Sequence, residues 1–310
     1  MTVTRQDVEQ ARERISGQVL RTPTLRSVPN AASGVLLKAE LLQKTGSFKA
    51  RGALNRVLAM SEEERRDGVV TWSAGNHAQA VAWAAFEEGI DCLVEMWETA
   101  SPFKVEKTRG YCATVDLTSP DPATAYQRTL EVVEREGRVF VHPHNDPLVL
   151  AGHGTLALEL LEDVPDLETV VVGVGGGGLV SGIVAALDGR ARVVAVEPER
   201  SPAFSAGLEA GKSVRVGTDT IADGLAPPFA GELPLQICRG RVDTVLVSED
   251  EIAEGMRFLY TRTKLACEPA GAAALGAVLA RKVEVSPKVA VIVSGGNVEP
   301  KQAAAILREQ

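Results

Sequence analysis

The stretch TVVVGVGGGGLVSGIVAAL, residues 169–187, decides the fold class. Residues 169–174 are largely β-branched and apolar, as in a fully buried parallel strand, and residues 179–187 have the composition of a following helix. The four glycines at 175–178 let the backbone take up positive φ and turn its N–H groups toward one point, which lies at the positive end of the helix dipole. This order predicts an anion site suited to phosphate, and a flexible turn without a ligand is the alternative.

The glycine run differs from the two familiar nucleotide-binding loops. Gly173, Gly175 and Gly178 fit the dinucleotide pattern GxGxxG only as part of a denser run, and the only acidic residue near the usual spacing is Glu197. No GK[ST] follows, which excludes a P-loop.

Around this run, strand-like and helix-like patterns alternate along the chain. That alternation predicts an α/β protein with largely parallel sheets. Candidate strands are residues 35–39, 69–72, 91–96, 113–117, 139–141, 169–174, 192–196, 243–247 and 289–293.

A second informative stretch is KTGSFKARGA, residues 44–53, which places Lys49 in a Gly-Ser turn at the start of a helical segment. A lysine condenses with a carbonyl compound only when its amine is neutral, and burial or a neighbouring cation brings this about. Pyridoxal 5'-phosphate is a phosphate-bearing aldehyde that joins lysine in this way. On its own, Lys49 would more often be a solvated surface cation.

Six motifs, taken together, resemble the threonine and serine dehydratase family of pyridoxal-phosphate enzymes, fold type II. They occur in the family's order over nearly the whole chain. They are GSFKARGA (46–53), SAGNHAQA (73–80), GGGGL (175–179), TIADG (220–224), EPAGAAAL (268–275) and SGGN (294–297).

The resemblance implies an α/β fold like that of the tryptophan synthase β chain, with two domains that each hold a mainly parallel sheet flanked by helices. Residues 1–58 and 147–310 would form a large cofactor-binding domain. Residues 59–146 would form a small domain that carries the substrate loop, and the cleft between the two would close over the substrate.

The resemblance also implies roles for individual residues. Lys49 would form the Schiff base with pyridoxal 5'-phosphate and act as the catalytic base, and Asn76 would bond the cofactor's 3'-oxygen. Phe48 would lie beside the cofactor and Ser294 beside its pyridine nitrogen. The phosphate would be held by Gly175, Gly176, Gly177, Gly178 and Leu179. The substrate carboxylate would be bound by Ser73, Gly75, Asn76 and His77.

Two of these residues have simpler readings. Ser73 could be only a helix cap, and His77 could be a hydrogen-bonded core histidine. Glu268 could be an acid near the cofactor or a buried hydrogen-bonded carboxylate, and the sequence does not choose between them. Arg51 and Arg56 are expected to be structural or surface cations.

The activity implied is β-elimination, a carbon–nitrogen lyase reaction that converts L-threonine and/or L-serine to 2-oxobutyrate or pyruvate and ammonia. A dehydratase for a larger β-hydroxy amino acid and a serine racemase are the alternatives, and a non-catalytic relative of the family is a third. Ala74 weighs against a racemase, because serine racemases commonly carry a second serine there. Residues 226–229 offer no basic group for a second carboxylate, which makes hydroxyaspartate less expected.

No metal site is predicted. The divalent-metal site of those racemases pairs a glutamate with an aspartate six residues later, and here Glu197 is followed by Ala203. His142, His144 and His153 lie close in sequence, but no cysteine or carboxylate ligand set accompanies them.

Net charge, cysteine content and the N-terminal stretch limit the possible binding partners and the cellular compartment of the protein. A formal net charge of −8 argues against nucleic acid or an anionic membrane as a partner. Four cysteines without metal spacing, and a charged N-terminal stretch that reads as an amphipathic helix rather than a signal peptide, predict a cytoplasmic protein. A homodimer is the usual arrangement for the fold.

Overall fold

The computed structural model describes residues 2–26 and 34–308. Within these ranges ten strands form two sheets, one with the strand order β1-β2-β10-β7-β8-β9 and one with the order β5-β4-β3-β6. The strands are β1 Thr24–Arg26, β2 Leu36–Lys38, β3 Val69–Trp72, β4 Cys92–Trp97, β5 Thr114–Ser119, β6 Val139–Phe140, β7 Thr169–Gly173, β8 Arg192–Pro198, β9 Asp243–Val247 and β10 Val289–Ile292.

The helices account for most of the remaining described chain. They are α1 Arg5–Arg14, α2 Lys49–Leu58, α3 Glu62–Asp67, α4 Asn76–Glu87, α5 Pro102–Arg109, α6 Pro122–Glu136, α7 Pro147–Asp163, α8 Gly178–Leu187, α9 Ala203–Ala210, α10 Glu232–Cys238, α11 Glu249–Phe258, α12 Pro269–Leu279 and α13 Pro300–Arg308.

The prediction of an α/β protein with largely parallel sheets is confirmed. All nine predicted strands are present, and every described strand pair is parallel except that of β1 with β2. Every residue of β7 is buried, as expected for a strand covered on both faces. The pattern missed β1, because it has only three residues and none of them is buried.

The residues that fill the core follow the two sheets. One apolar cluster contains Val170, Val172 and Ile183, and another contains Val171, Val291 and Leu275, so the alternating side chains of β7 enter opposite sides of the large sheet. Among the described residues, no helix is long and apolar enough to cross a membrane. The uncharged run at 169–187 is divided between β7 and α8.

The two sheets use different parts of the chain. All four strands of the small sheet lie within residues 59–146, and the large sheet takes its strands from both sides of that segment. Helix α2 packs against α7, which follows the segment, and against α4, which belongs to it. The first residue of α2 therefore lies near the junction between the sheets. The division of the chain into two domains at residues 58 and 147 stays a prediction.

Candidate active site

Lys49 is the first residue of α2, and its amine is held inside the protein. The Nζ atom donates a hydrogen bond to the carbonyl of Pro143 at 2.7 Å and lies 5.2 Å from the centre of the Phe48 ring. Burial lowers the pKa of Lys49 from 10.5 to about 7, because no carboxylate compensates the lost hydration of the ammonium. A lysine in this state supplies a neutral, nucleophilic amine near neutral pH.

All four histidines of the chain surround this lysine. Burial and the charge of Lys49 lower the pKa values of His77, His142, His144 and His153, that of His142 to about 4. The rings are therefore neutral at pH 7 and add no cation beside the amine. Among the described residues, no group of three or more histidine, cysteine, aspartate or glutamate side chains is placed to hold a metal ion.

The glycine run forms the turn into α8. Gly177 has φ +90° and precedes Gly178, the first residue of the helix, and no side chain of the described residues caps the helix. Within the run, Gly177 is the residue that uses the positive φ that glycine allows. Gly176 is required for a different reason, because a Cβ there would lie 2.5 Å from Nδ1 of His144.

One short segment brings Lys49 next to this turn. The Pro143 carbonyl that accepts from Lys49 would lie 3.5 Å from a Cβ at Gly178, and the neighbouring His144 packs on the loop. No side chain of the described residues caps the first N–H groups of α8, and the loop itself contains no acidic residue. Such a cradle fits a phosphate group.

Asn76 opens α4 and is bound at both ends of its amide. Its Nδ2 donates to Oε1 of Glu268 at 2.6 Å, and its Oδ1 accepts from Nδ2 of Asn297 at 2.8 Å. Glu268 is 3% exposed, and burial together with the charge of Asp223 raises its pKa to about 7. Glu268 is therefore buried and hydrogen-bonded, and since its partner is Asn76, a role as an acid near the cofactor stays open as well.

The SGGN segment joins this group to Lys49. The Phe48 N–H donates to the carbonyl of Ser294 at 3.0 Å, and Ser47 and Gly295 form an isolated antiparallel bridge. Ser294 is buried, and its hydrogen bond with Phe48 places it against the backbone that carries Lys49. Residues that are far apart in the sequence thus converge around one amine.

The predicted substrate loop precedes α4. The Gly75 N–H donates to Oγ of Ser73 at 3.1 Å, but Gly75 and not Ser73 is the cap residue of the helix. A Cβ at Gly75 would meet no atom within 4 Å, so this face of the loop borders open space. His77 is buried, with Nε2 2.9 Å from the Val141 carbonyl, which agrees with the core reading and still leaves its ring near Lys49.

Several residues beside the site were missed or left without a role. Arg51 is buried between two carboxylates, those of Glu40 and Glu159. Lys107 of α5 donates to Oδ1 of Asn297 at 3.0 Å. The only available signal for Asn297 was its place in SGGN, and no local pattern marks Lys107, because its partner lies 190 residues away.

Comparison with known proteins identifies a matching family and similar proteins. The family described as "Pyridoxal-phosphate dependent enzyme" matches residues 15–295. The chain is 43% identical over 305 residues to the L-threonine ammonia-lyase of Thermotoga maritima, covering 96% of this chain and 76% of that protein. It is 39% identical over 311 residues to the catabolic L-threonine dehydratase of Escherichia coli, covering 97% of this chain and 94% of that protein.

Among solved structures, the chain is similar to the serine racemase of Dictyostelium discoideum. The TM-score is 0.90 at 36% sequence identity, and the match covers 96% of this chain and 100% of that one. The similar proteins thus include both ammonia-lyases and racemases. The resemblance read from the six motifs is confirmed.

Proposed function

The chain belongs to the family of pyridoxal-phosphate dependent enzymes, and we propose that it is an ammonia-lyase that converts L-threonine or L-serine to a 2-oxo acid and ammonia. The observation that carries the proposal is the buried amine of Lys49, with a pKa of about 7, beside an uncapped glycine turn. Similarity to threonine ammonia-lyases at 39–43% identity over nearly the whole chain supports the same substrate class.

Residues from several segments would hold pyridoxal 5'-phosphate. The N–H groups from Gly175 to Leu179 would bind its phosphate at the start of α8, where the helix dipole favours an anion. Asn76 would donate to the ring oxygen, Ser294 would face the ring nitrogen, and Phe48 would flank the site. The cofactor, once joined to the substrate's amino group, supplies an electron sink for the bond broken at Cα.

Lys49 would serve first as the cofactor's attachment point and then as a base. Its neutral amine is placed to take the proton from Cα of the substrate, because burial disfavours the ammonium form. The Pro143 carbonyl orients the amine by accepting one of its hydrogens at 2.7 Å. The four histidines are neutral at pH 7, so the groups of the site whose protonation changes near pH 7 are Lys49 and Glu268.

The loop at residues 73–77 would bind the substrate carboxylate. The start of α4 offers backbone N–H donors, and Gly75 leaves the approach to them open. The Ser73 hydroxyl, which already accepts from the Gly75 N–H, can donate its own hydrogen to an anion. Closure of this loop's segment against the large sheet would then exclude water from the reacting atoms.

A racemase is the second candidate, since serine racemases are among the similar proteins. Racemisation needs a proton donor on the face of Cα opposite Lys49. Position 74 is alanine here, so that position supplies no hydroxyl. Elimination needs no proton donor on that second face of Cα, because its other requirement is a proton for the β-hydroxyl, which leaves as water, and this difference favours the lyase.

Two coarser features accompany the proposal. All four cysteines are free thiols, which agrees with a reducing cytoplasm. A homodimer is proposed from the fold. Gel filtration with light scattering of the purified protein measures the second property directly.

The test is a substrate panel on the purified, cofactor-loaded protein. L-threonine and L-serine are each assayed for 2-oxo acid and ammonia, L-phenylserine is included as a larger β-hydroxy amino acid, and D-serine is measured by chiral chromatography. The proposal predicts 2-oxobutyrate from L-threonine or pyruvate from L-serine in excess of any D-serine. If only L-phenylserine yields a 2-oxo acid and ammonia, the substrate is a larger β-hydroxy amino acid. If D-serine is formed in excess, the protein is a racemase.

A further inference from the structure

A line of four side chains runs from helix α5 through Asn76 to Glu268, the residue that precedes helix α12. Lys107 Nζ donates to Asn297 Oδ1 at 3.0 Å, and Asn297 Nδ2 donates to Asn76 Oδ1 at 2.8 Å. Asn76 Nδ2 then donates to Glu268 Oε1 at 2.6 Å. Every step lies within ordinary hydrogen-bond distance, and Asn297 and Glu268 are nearly fully buried.

The chemistry of the partners fixes which way each amide points. Lys107 can only donate, so it must meet the oxygen of Asn297. The carbonyl of Thr45 can only accept, and it lies 2.7 Å from Nδ2 of the same residue. Asn297 therefore presents its second N–H to Asn76, which forces the oxygen of Asn76 toward Asn297 and its nitrogen toward Glu268.

Among the residues that the structure describes, one N–H of the Asn76 side chain has no hydrogen-bond partner. Its oxygen accepts from Asn297, and one of its two N–H bonds is given to Glu268. The remaining N–H has a fixed direction, because the amide is held at both ends. A rotated amide would present an oxygen instead and could not donate.

Two glycines make this close assembly possible. A Cβ at Gly46 would lie 2.9 Å from Oδ1 of Asn297, and a Cβ at Gly295 would collide with Oε1 of Glu268. The same glycines flank the turn and the SGGN segment that meet at Lys49. Because these two glycines have no side chain, Asn297 and Glu268 can pack close to the backbone of the two segments that meet at Lys49.

The first member of the line comes from the small-sheet part of the chain. Helix α5 contacts the other side of the junction through Lys107 and also through an ion pair between Lys104 and Asp223. Of these two lysines, Lys107 is the one that reaches the asparagines. The orientation of Asn76 thus depends on one lysine of α5, and the exposed Arg109 of the same helix provides a control.

We propose that Lys107, Asn297 and Glu268 are positioning residues that aim the free N–H of Asn76 at the ring oxygen of the cofactor. The proposal rests on the proposed function, in which Asn76 bonds that oxygen. It adds that α5 must lie against the SGGN segment for the amide to be held, so the placement of α5 is coupled to the cofactor ring.

The test compares Lys107→Met with Lys107→Arg and Arg109→Met. Each holoenzyme is examined without substrate for the absorbance spectrum of its bound cofactor and for its dissociation constant for pyridoxal 5'-phosphate. Lys107→Met is expected to shift the absorbance band and to weaken cofactor binding roughly tenfold, the scale of one lost hydrogen bond to a charged group. Lys107→Arg keeps a donor and is expected to keep the band and the affinity near those of the wild type, and Arg109→Met, which changes an exposed residue of the same helix, is expected to match the wild type.

A second variant acts on the middle of the line. Asn297→Asp keeps the shape and the acceptor for Lys107 but cannot donate to Asn76, so it is expected to shift the band in the same direction as Lys107→Met. A wild-type spectrum in Lys107→Met and Asn297→Asp, or an equal shift in Arg109→Met, overturns the proposal. These spectra need no substrate, so they judge the proposal even if the substrate panel rejects the lyase.

Discussion

The guanidinium of Arg51 donates two parallel hydrogen bonds to the carboxylate of Glu40, from Nε at 2.8 Å and from Nη2 at 2.9 Å. Both side chains are at most 1% exposed. The other side of the guanidinium binds Glu159, which also accepts from the buried Lys38 at 2.6 Å. Because Arg51 follows Lys49 by two residues, this buried network fixes the start of α2 and the position of the amine.

Replacement of Arg51 by methionine is expected to destabilise the fold strongly. It would leave the carboxylates of Glu40 and Glu159 facing each other without their shared cation, and breaking a buried ion pair costs about 3–5 kcal/mol. Urea denaturation of the cofactor-free protein measures the loss. Arg12→Ala, which removes a surface pair with Glu162, is the matched control and is expected to cost less than about 1 kcal/mol. Equal losses in the two variants would contradict the structural role of the network.

The amine of Lys49 should react as a group with a pKa of about 7. Its pKa is lowered, so the neutral form predominates above pH 7, whereas an ordinary lysine reaches that point only near 10.5. The rate at which the cofactor-free protein captures pyridoxal 5'-phosphate is therefore expected to rise with pH to half its maximum near pH 7 and then to level off. Stopped-flow absorbance between pH 6 and 10 tests this, and a rate that keeps rising to pH 10 would contradict it.

The close contact between Gly176 and His144 predicts the effect of one added methyl group. Gly176→Ala would place a Cβ against the ring of His144 and displace the loop, and overpacking of this kind costs about 1–3 kcal/mol. We expect cofactor binding to weaken roughly tenfold or more, since 1.4 kcal/mol corresponds to tenfold. Gly110→Ala, where the nearest atom is 3.3 Å from the new Cβ, is the control and should bind the cofactor like the wild type. Unchanged cofactor affinity in Gly176→Ala would remove the loop from the phosphate site.

Position 74 should decide how much racemisation accompanies elimination. Ala74→Ser adds a hydroxyl next to Ser73, in the loop proposed to bind the substrate. A proton donor on the second face of Cα is expected to raise the share of D-serine formed from L-serine roughly tenfold or more, within the range of general acid catalysis. Chiral chromatography measures that share, with Ala74→Val as a control that adds bulk without a hydroxyl. An unchanged share would mean that the residue at 74 does not face the substrate.

Much of the fold could be read from local patterns. Residues 169–187 predicted the α/β class, because a fully apolar strand followed by a glycine loop and a helix is a pattern of adjacent residues. Strand β1 could not be read in the same way. It has three partly or fully exposed residues, and it is a strand only because β2, about ten residues later, pairs with it.

The site divides along the same line. The sequence could identify some candidate site residues because they lie in motifs of adjacent residues, namely Lys49, Asn76 and the glycine turn. The pairing of Lys107 with Asn297, and of Asn76 with Glu268, joins residues about 190 positions apart. Such contacts are created by the folding of two sheets around one junction, and no local spacing records them.

The glycine run shows that glycines in one motif can be required for different reasons. The sequence indicated a backbone that can take up positive φ, and Gly177 is the residue of the run that does so. Gly176 is instead demanded by the ring of His144, which approaches from a loop more than thirty residues earlier. The residue type was informative, but the reason for it lay in tertiary packing.

The central claim is that Lys49 carries the cofactor and takes the substrate's Cα proton. Borohydride reduction of the holoenzyme followed by peptide mass mapping tests it most directly, with L-threonine turnover of Lys49→Ala measured alongside in the presence of added pyridoxal 5'-phosphate. The account predicts the reduced cofactor on the peptide containing Lys49, and release of 2-oxobutyrate by the wild type but not by the variant. A label on another lysine, or undiminished turnover by Lys49→Ala, would contradict it.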